Sequence, residues 1–162
     1  MNVVLVGFDN SNKDKVAEIL AHKLKYDTLI FNNLIVSISG RTSMLEIMKK
    51  DGELARSRLE TQILSEIELK GNYVIATSEN IIFNQINILT LKKKARTIYL
   101  KDYESPDSNS NILLKEQKIN RLKDDLFKYY SDAYIEIQGD TPTIISENIY
   151  DFLKNSTSSK II

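Results

Sequence analysis

Residues Asn2 to Val6 read Asn-Val-Val-Leu-Val, and this run limits the fold more than any other stretch of the chain. In a half-exposed strand apolar and polar residues alternate, because successive side chains point to opposite faces. Four consecutive apolar residues leave no face for water. Such a strand belongs in a sheet covered on both sides, as parallel sheets are. The polar turn Gly7 to Asn12 follows. A helix is then predicted from about Lys13 to Leu24, with Val16, Ile19, Leu20 and Leu24 at helical spacing.

The same alternation continues along the chain. Strands are predicted at Thr28–Phe31, Tyr73–Ala76, Arg96–Leu100 and Ala133–Ile137. Helices are predicted at Leu34–Ser39, Met44–Lys50, Glu53–Leu69, Ile81–Lys93, Leu113–Tyr130 and Ile144–Leu153. Within them Leu59, Ile63, Leu64 and Ile67 form one apolar stripe, and Gly71-Asn72 reads as the end of that helix. Ile81-Ile82-Phe83 alone also fits a strand. Strands alternating with helices imply an α/β fold, a three-layer α/β/α sandwich around a five-stranded parallel sheet. One domain is expected over residues 1–154, followed by a Ser/Thr-rich tail, 155–162, expected to be disordered.

Composition removes several functional classes. The 22 Lys+Arg balance 22 Asp+Glu, which argues against a nucleic-acid-binding surface. There is no Cys, hence no disulfide, thiolate metal site or thiol catalysis, and His22 is the single His. No apolar run reaches the ~18 residues of a membrane span, and no signal-peptide pattern opens the chain. A cytoplasmic protein with no membrane partner is expected. The five Gly never occur together, so no glycine-rich loop is present.

Ligands of open α/β sheets sit beyond the carboxyl ends of the strands, so the turn after the first strand is where chemistry is expected. A phosphate-binding loop there has the form G-x-x-x-x-G-K-[ST], in which backbone N–H groups, the Lys and the hydroxyl hold phosphates and magnesium. Gly7 to Asp14 reads G-F-D-N-S-N-K-D: Gly7 and Lys13 stand in frame, Asn12 replaces the second Gly, and Asp14 replaces the hydroxyl. Asn tolerates the left-handed conformation that the loop needs. Asp14 puts negative charge where an anion would sit, and complements the helix dipole by itself. Ser11 with Asp14 fits a capping box. The plain reading is a self-capped helix start with Lys13 as a surface residue beside it.

Five segments share a further pattern. They are Asn2–Phe8, Gly40-Arg-Thr-Ser-Met-Leu-Glu-Ile-Met48, Asp51-Gly52-Glu53 followed by Glu60, Val74–Thr77, and Thr97–Leu100. In order and spacing they resemble the shikimate kinase family, small P-loop kinases that transfer phosphate from ATP to shikimate. The resemblance runs from Asn2 to about Leu153. It implies a P-loop kinase-like fold, ATP and magnesium as cofactors of an active member, and aromatic amino acid biosynthesis as the setting.

The positions that the resemblance assigns to chemistry are where this sequence departs from it. The family's Asp-x-Asp falls on Phe31 and Asn33, while Asp27-Thr28 precedes the strand and lies at its wrong end. The family's substrate arginine falls on Ser57, flanked by Arg56 and Arg58, each rotated by roughly 100° on a helix. The glycine triplet falls on Ser78-Glu79-Asn80, where Glu79 would repel a substrate carboxylate. The lid segment keeps Leu113-Leu114 and loses its Arg, and Arg121 is the one candidate for a later substrate clamp. Only Lys13 keeps the identity of a family residue with a direct catalytic role.

Three functional expectations follow. The first is a non-catalytic binding or regulatory protein with a protein or small-molecule partner and no cofactor. The second is an active kinase in which Lys13 holds phosphates, Asp14 ligates magnesium and Arg56 or Arg58 binds the acceptor. The third is a nucleotide or phosphate-metabolite binder without turnover. Elsewhere, Lys92-Lys93-Lys94 with Arg96 reads as a solvated helix end, and His22 as a surface or boundary residue. Phe127, Tyr129 and Tyr130 read as core, and Asp124, Asp125 and Asp151 as exposed helix charge.

Overall fold

All four side chains of strand β1 (Val3–Val6) are buried, as its composition demands. In this computed structural model, residues 1–102, 114–137 and 139–158 are described, residues 157 and 158 by backbone alone. β1 lies at the centre of a five-stranded sheet in the order β2-β3-β1-β4-β5, with β2 Asp27–Ile30, β3 Tyr73–Ala76, β4 Arg96–Lys101 and β5 Ala133–Glu136. Every pairing is parallel: Val3 stands between Val74 and Arg96, and Leu5 between Ala76 and Ile98. Alternate side chains of β1 feed separate cores. Val3 and Leu5 face helices α1 (Lys13–Leu24) and α7 (Pro142–Ser158), meeting Val16, Leu20, Ile145 and Ile149. Val4 and Val6 face the other layer, made by α2 (Phe31–Ser39), α3 (Met44–Lys50), α4 (Gly52–Glu66), α5 (Gln85–Lys94) and α6 (Leu114–Tyr130). The expected three-layer fold is the observed one.

Several boundaries move, each for a local reason. β2 stops at Ile30, and Phe31 opens α2 as a fully buried anchor rather than closing the strand. α4 ends at Glu66, with Ile67 extended at φ −70° and ψ 122°. Ile67 and Leu69 pack against the core from an extended connection, so Gly71-Asn72 ends no helix. The expected helix over Ile81–Lys93 is two pieces, a 3₁₀ turn at Glu79–Phe83 and then α5. Asn84 divides them, because its side chain accepts the Asn87 N–H at 3.2 Å and caps α5. α7 runs past its expected end at Leu153 to Ser158, and Ser156 accepts a hydrogen bond from Arg96.

α6 is fixed by an aromatic stack that joins three elements. The Phe127 ring stacks on Tyr99 of β4 at 4.9 Å and meets Phe8 of the first turn edge-on at 5.4 Å. The Tyr99 hydroxyl donates to Asp124 at 2.7 Å, and Lys128 pairs with the same carboxylate at 3.0 Å. Asp124 is therefore a partnered group rather than free helix charge. Burial, with Asp124 adding to it, pushes the Tyr99 phenol pKa far up. Tyr130 is buried as expected, whereas Tyr129 is 77% exposed. Lys92 donates to the Tyr130 carbonyl at 2.6 Å, so the basic run ties α5 to α6 instead of standing wholly in solvent. Asp125, Asp151 and His22 are exposed. Residues 103–113, which include the lid segment, lie outside the described residues, and among those described no helix is long and apolar enough to cross a membrane.

One glycine of the turn is required by geometry. Gly7 has φ +150°, and a Cβ there would sit 3.0 Å from the Leu100 carbonyl oxygen, a backbone atom that cannot swing away. Gly7→Ala is expected to cost about 1–3 kcal/mol through the combined strain and contact. Urea unfolding of the variant, compared at equal slope, checks it.

Candidate functional site

β1, β3 and β2 end side by side, and the segments that leave their carboxyl ends make the candidate site. The first is the turn after β1. Asp9–Ser11 form one 3₁₀ turn, closed by the Ser11 N–H donating to the Phe8 carbonyl at 3.0 Å. Asn12 then adopts φ 59° and ψ 30°, the left-handed conformation, at the position where the loop pattern has glycine. Asn12 is also the N-cap of α1, and its side chain makes no capping hydrogen bond.

The expected Ser11–Asp14 capping box is not formed. Ser11 belongs to the 3₁₀ turn, is 2% exposed, and its Oγ has no partner among the described residues. Asp14 is half-buried, and burial raises its pKa against the opposing charge of Lys13. Lys13 is not a surface residue either. It is 2% exposed, and its Nζ lies 3.2 Å from Asp9 Oδ1. Lys13 is the first residue of α1, which packs on the sheet, so its side chain is buried while its ammonium reaches the loop.

The loop is tied across the site by Glu79. The Asp9 N–H donates to Glu79 Oε1 at 2.9 Å, and Lys123 of α6 donates to Glu79 Oε2 at 2.8 Å. Lys13, Asp9, Glu79 and Lys123 thus form one chain, with a lysine at each end and the two acidic residues joined through the Asp9 backbone N–H. Glu79 occupies a backbone donor of the loop with a carboxylate from this same protein.

A second cluster centres on Arg56 of α4. Its Nε and Nη2 donate to the two carboxylate oxygens of Glu53 at 2.8 and 2.7 Å. Its Nη1 donates to Glu60 Oε1 at 3.3 Å and to Ser78 Oγ at 3.0 Å. Ser78 donates in turn to Glu60 Oε2 at 2.6 Å, and Asn80 Nδ2 donates to Glu53 at 3.4 Å. Arg56 is 3% exposed and Glu60 is fully buried. Burial raises the Glu60 pKa, with Arg56 and Ser78 opposing it. Burial also works against the Arg56 cation, but hydrogen bonds and charge from Glu53 and Glu60 outweigh it and hold the proton.

Between these clusters lies a cavity of about 200 Å³, lined by Asp9, Asn32, Met44, Met48, Arg56, Ser78, Glu79 and Asn80. The structure therefore brings together Arg56 and the Ser78-Glu79-Asn80 stretch, with Lys13 reaching Asp9 at the edge. Arg58 is exposed and lines no part of it, and Ser57 accepts a hydrogen bond from Asn84 at 3.0 Å. Asn33 is exposed and Phe31 is core; the residue of that segment which reaches the cavity is Asn32. Asp27 stands at the opposite end of β2, beside Tyr73. Sequence reasoning missed Asn32, Met44, Met48, Glu60 and Lys123. For Glu60 a signal was available: Glu53, Arg56 and Glu60 continue the stripe of Ile63 and Leu64 at helical spacing.

A parallel sheet with its first strand central, a lysine-bearing turn leading into α1, and a cavity beyond the strand ends define the P-loop kinase-like class of α/β proteins. Comparison with known proteins narrows this. The shikimate kinase family model matches residues 10–154. A shikimate kinase from Clostridium botulinum is 31% identical over 147 residues, covering 89% of this chain and 86% of its own. One from Thermodesulfovibrio yellowstonii is 28% identical, covering 95% of this chain and 97% of its own. Among solved structures, shikimate kinase from Acinetobacter baumannii in complex with shikimate superposes with a TM-score of 0.79 at 21% identity, covering 96% of this chain and 93% of its own. This chain belongs to the shikimate kinase family.

That family uses ATP with magnesium. Magnesium in such sites takes one or two carboxylates together with phosphate oxygens. Here Asp9 is paired with Lys13, burial raises the Asp14 pKa, and among the described residues no group of three or more acidic or histidine side chains is placed to hold a metal. The donors present do not fit that ion.

The Arg56 cluster makes a stability prediction with a pH sign. Glu60 has a folded pKa above its ordinary 4.5, so its contribution to stability is greatest below pH 4.5 and declines as pH rises through the raised value. Arg56→Leu strands the buried carboxylate and is expected to cost about 3–5 kcal/mol at pH 8. The loss should be smaller at pH 5, where Glu60 can take up a proton. Denaturant unfolding at the two pH values measures both.

Proposed function

We propose that this chain is a non-catalytic member of its family, a binding or regulatory protein on a kinase scaffold. One observation carries the reading: among the described residues, the cations of the site are paired with carboxylates of the same chain. Lys13 is held by Asp9, Lys123 by Glu79, and Arg56 by Glu53 and Glu60. Four carboxylates face three cations. Phosphoryl transfer depends on positioning and on positive charge around the transferring group. One well-aimed electrostatic group is worth roughly 10²–10³ in rate, and here several are compensated in advance.

A second reading, an ATP-dependent kinase of shikimate or another small alcohol, draws support from different facts. The left-handed Asn12 preserves the backbone course that a glycine would give, and Lys13 falls on the lysine of the G-x-x-x-x-G-K-[ST] pattern. The relatives of this chain bear the name shikimate kinase. In this reading Lys13 leaves Asp9 for a phosphate.

The decisive measurement is a coupled assay of purified protein with ATP, magnesium and shikimate. Turnover is expected to stay at least a thousandfold below the ~10 s⁻¹ typical of enzymes, and Lys13→Ala should leave it unchanged. Turnover at ordinary kinase rates that Lys13→Ala abolishes would establish the second reading instead. Calorimetry with ATP tests the third possibility, a nucleotide binder without turnover, for which heat of binding is required.

A further inference from the structure

We infer that the cavity beyond β1, β2 and β3 accepts a small polar molecule without a negative charge, and discriminates against carboxylates. The inference rests on the reading of the site as internally compensated, and concerns what it holds rather than what it turns over.

Charge is the first argument. The cavity wall carries two carboxylates, Asp9 and Glu79, and one cation, Arg56. The guanidinium is committed. Two of its nitrogens hold both oxygens of Glu53, and the third holds Glu60 and Ser78. One N–H of Nη2 remains, so Arg56 can grip a ligand carboxylate with two hydrogen bonds only by releasing Glu53 or leaving the fully buried Glu60 short of a partner. Asp9 and Glu79 already hold Lys13 and Lys123, so among the described residues an incoming anion meets two carboxylates and no unpaired cation on the wall.

The rest of the wall is neutral and suited to hydroxyl or amide groups. Asn32, Asn80 and Ser78 supply hydrogen-bonding side chains, and Met44 and Met48 supply a soft apolar side that adapts to the shape of a ring. Ligand donors such as O–H or N–H find ready acceptors in the Asp9 and Glu79 carboxylates. The volume of about 200 Å³ is below the ~300–1,000 Å³ of sites for drug-sized molecules, so a single-ring ligand is the scale it fits.

Shikimate and its primary carboxamide separate charge from shape. They share ring and hydroxyls, and the amide replaces one carboxylate oxygen by NH₂. Calorimetric titration of the full chain is expected to give the carboxamide an affinity at least tenfold above that of shikimate. Glu79→Gln removes one wall charge and should narrow the ratio by about threefold or more, with circular dichroism confirming that the variant is folded. Equal or tighter binding of shikimate by the wild-type chain overturns the inference. So does the failure of both ligands to bind at about 10 mM, beyond the millimolar limit of weak binding. A preference for shikimate without turnover defeats only this inference. Turnover of shikimate defeats the non-catalytic reading, whatever the order of affinities.

Discussion

An arginine cannot be buried without partners, and the arrangement around Arg56 follows from that constraint. Desolvating a guanidinium and a carboxylate costs several kcal/mol per ion unless geometry and further hydrogen bonds compensate. Glu53, Glu60 and Ser78 supply that compensation, and in doing so they join α4 to the segment leaving β3. Ser78 occupies both Arg56 and Glu60, which places Glu79 and Asn80 at the cavity. Glu79 then reaches the turn after β1 and Lys123 of α6. One buried ion pair thus sets where four separate parts of the chain meet.

The result is a site built on the fold of its family. The lysine-bearing turn, the helix of the Gly-Glu segment and the stretch after β3 come together beyond the strand ends, as in a P-loop kinase. Within that frame, Asp9 stands beside Lys13, Glu53 and Glu60 beside Arg56, and Glu79 beside Lys123. The non-catalytic reading and the preference for an uncharged ligand both issue from this compensation. They are separable, because transfer rate and binding preference depend on the same charges in different ways.

The fold was legible in the sequence to a large extent, and the site much less. Four apolar residues at Val3–Val6 were enough to require a covered parallel strand, and the strand–helix alternation gave the order of the elements. The boundaries that moved did so where an apolar residue served two roles. Phe31 could close a strand or open a helix, and Ile67 and Leu69 could extend a helix stripe or pack from an extended connection. At the site, Lys13 read as a surface residue because local spacing cannot report how α1 packs on the sheet. Ser11 and Asp14 had the spacing of a capping box, but the left-handed Asn12 intervenes and takes the cap position.

The sequence by itself determined the covered parallel sheet, the position of the lysine-bearing turn, and the identity of the family, because these depend on local periodicity and on the order of short segments. Tertiary structure alone decided which side chains share the cavity. Arg56 rather than Arg58, and Asn32 rather than Asn33, face it because of the rotation of α4 and the early start of α2, each set by packing on the sheet. It also decided that Glu79 compensates Lys123, whereas Asp9 with Lys13, and Glu53 and Glu60 with Arg56, pair at spacings of three or four residues. Charge compensation depends on distances of about 3 Å between atoms that, for Glu79 with Lys123, lie 44 residues apart, and no pattern along the chain carries that information.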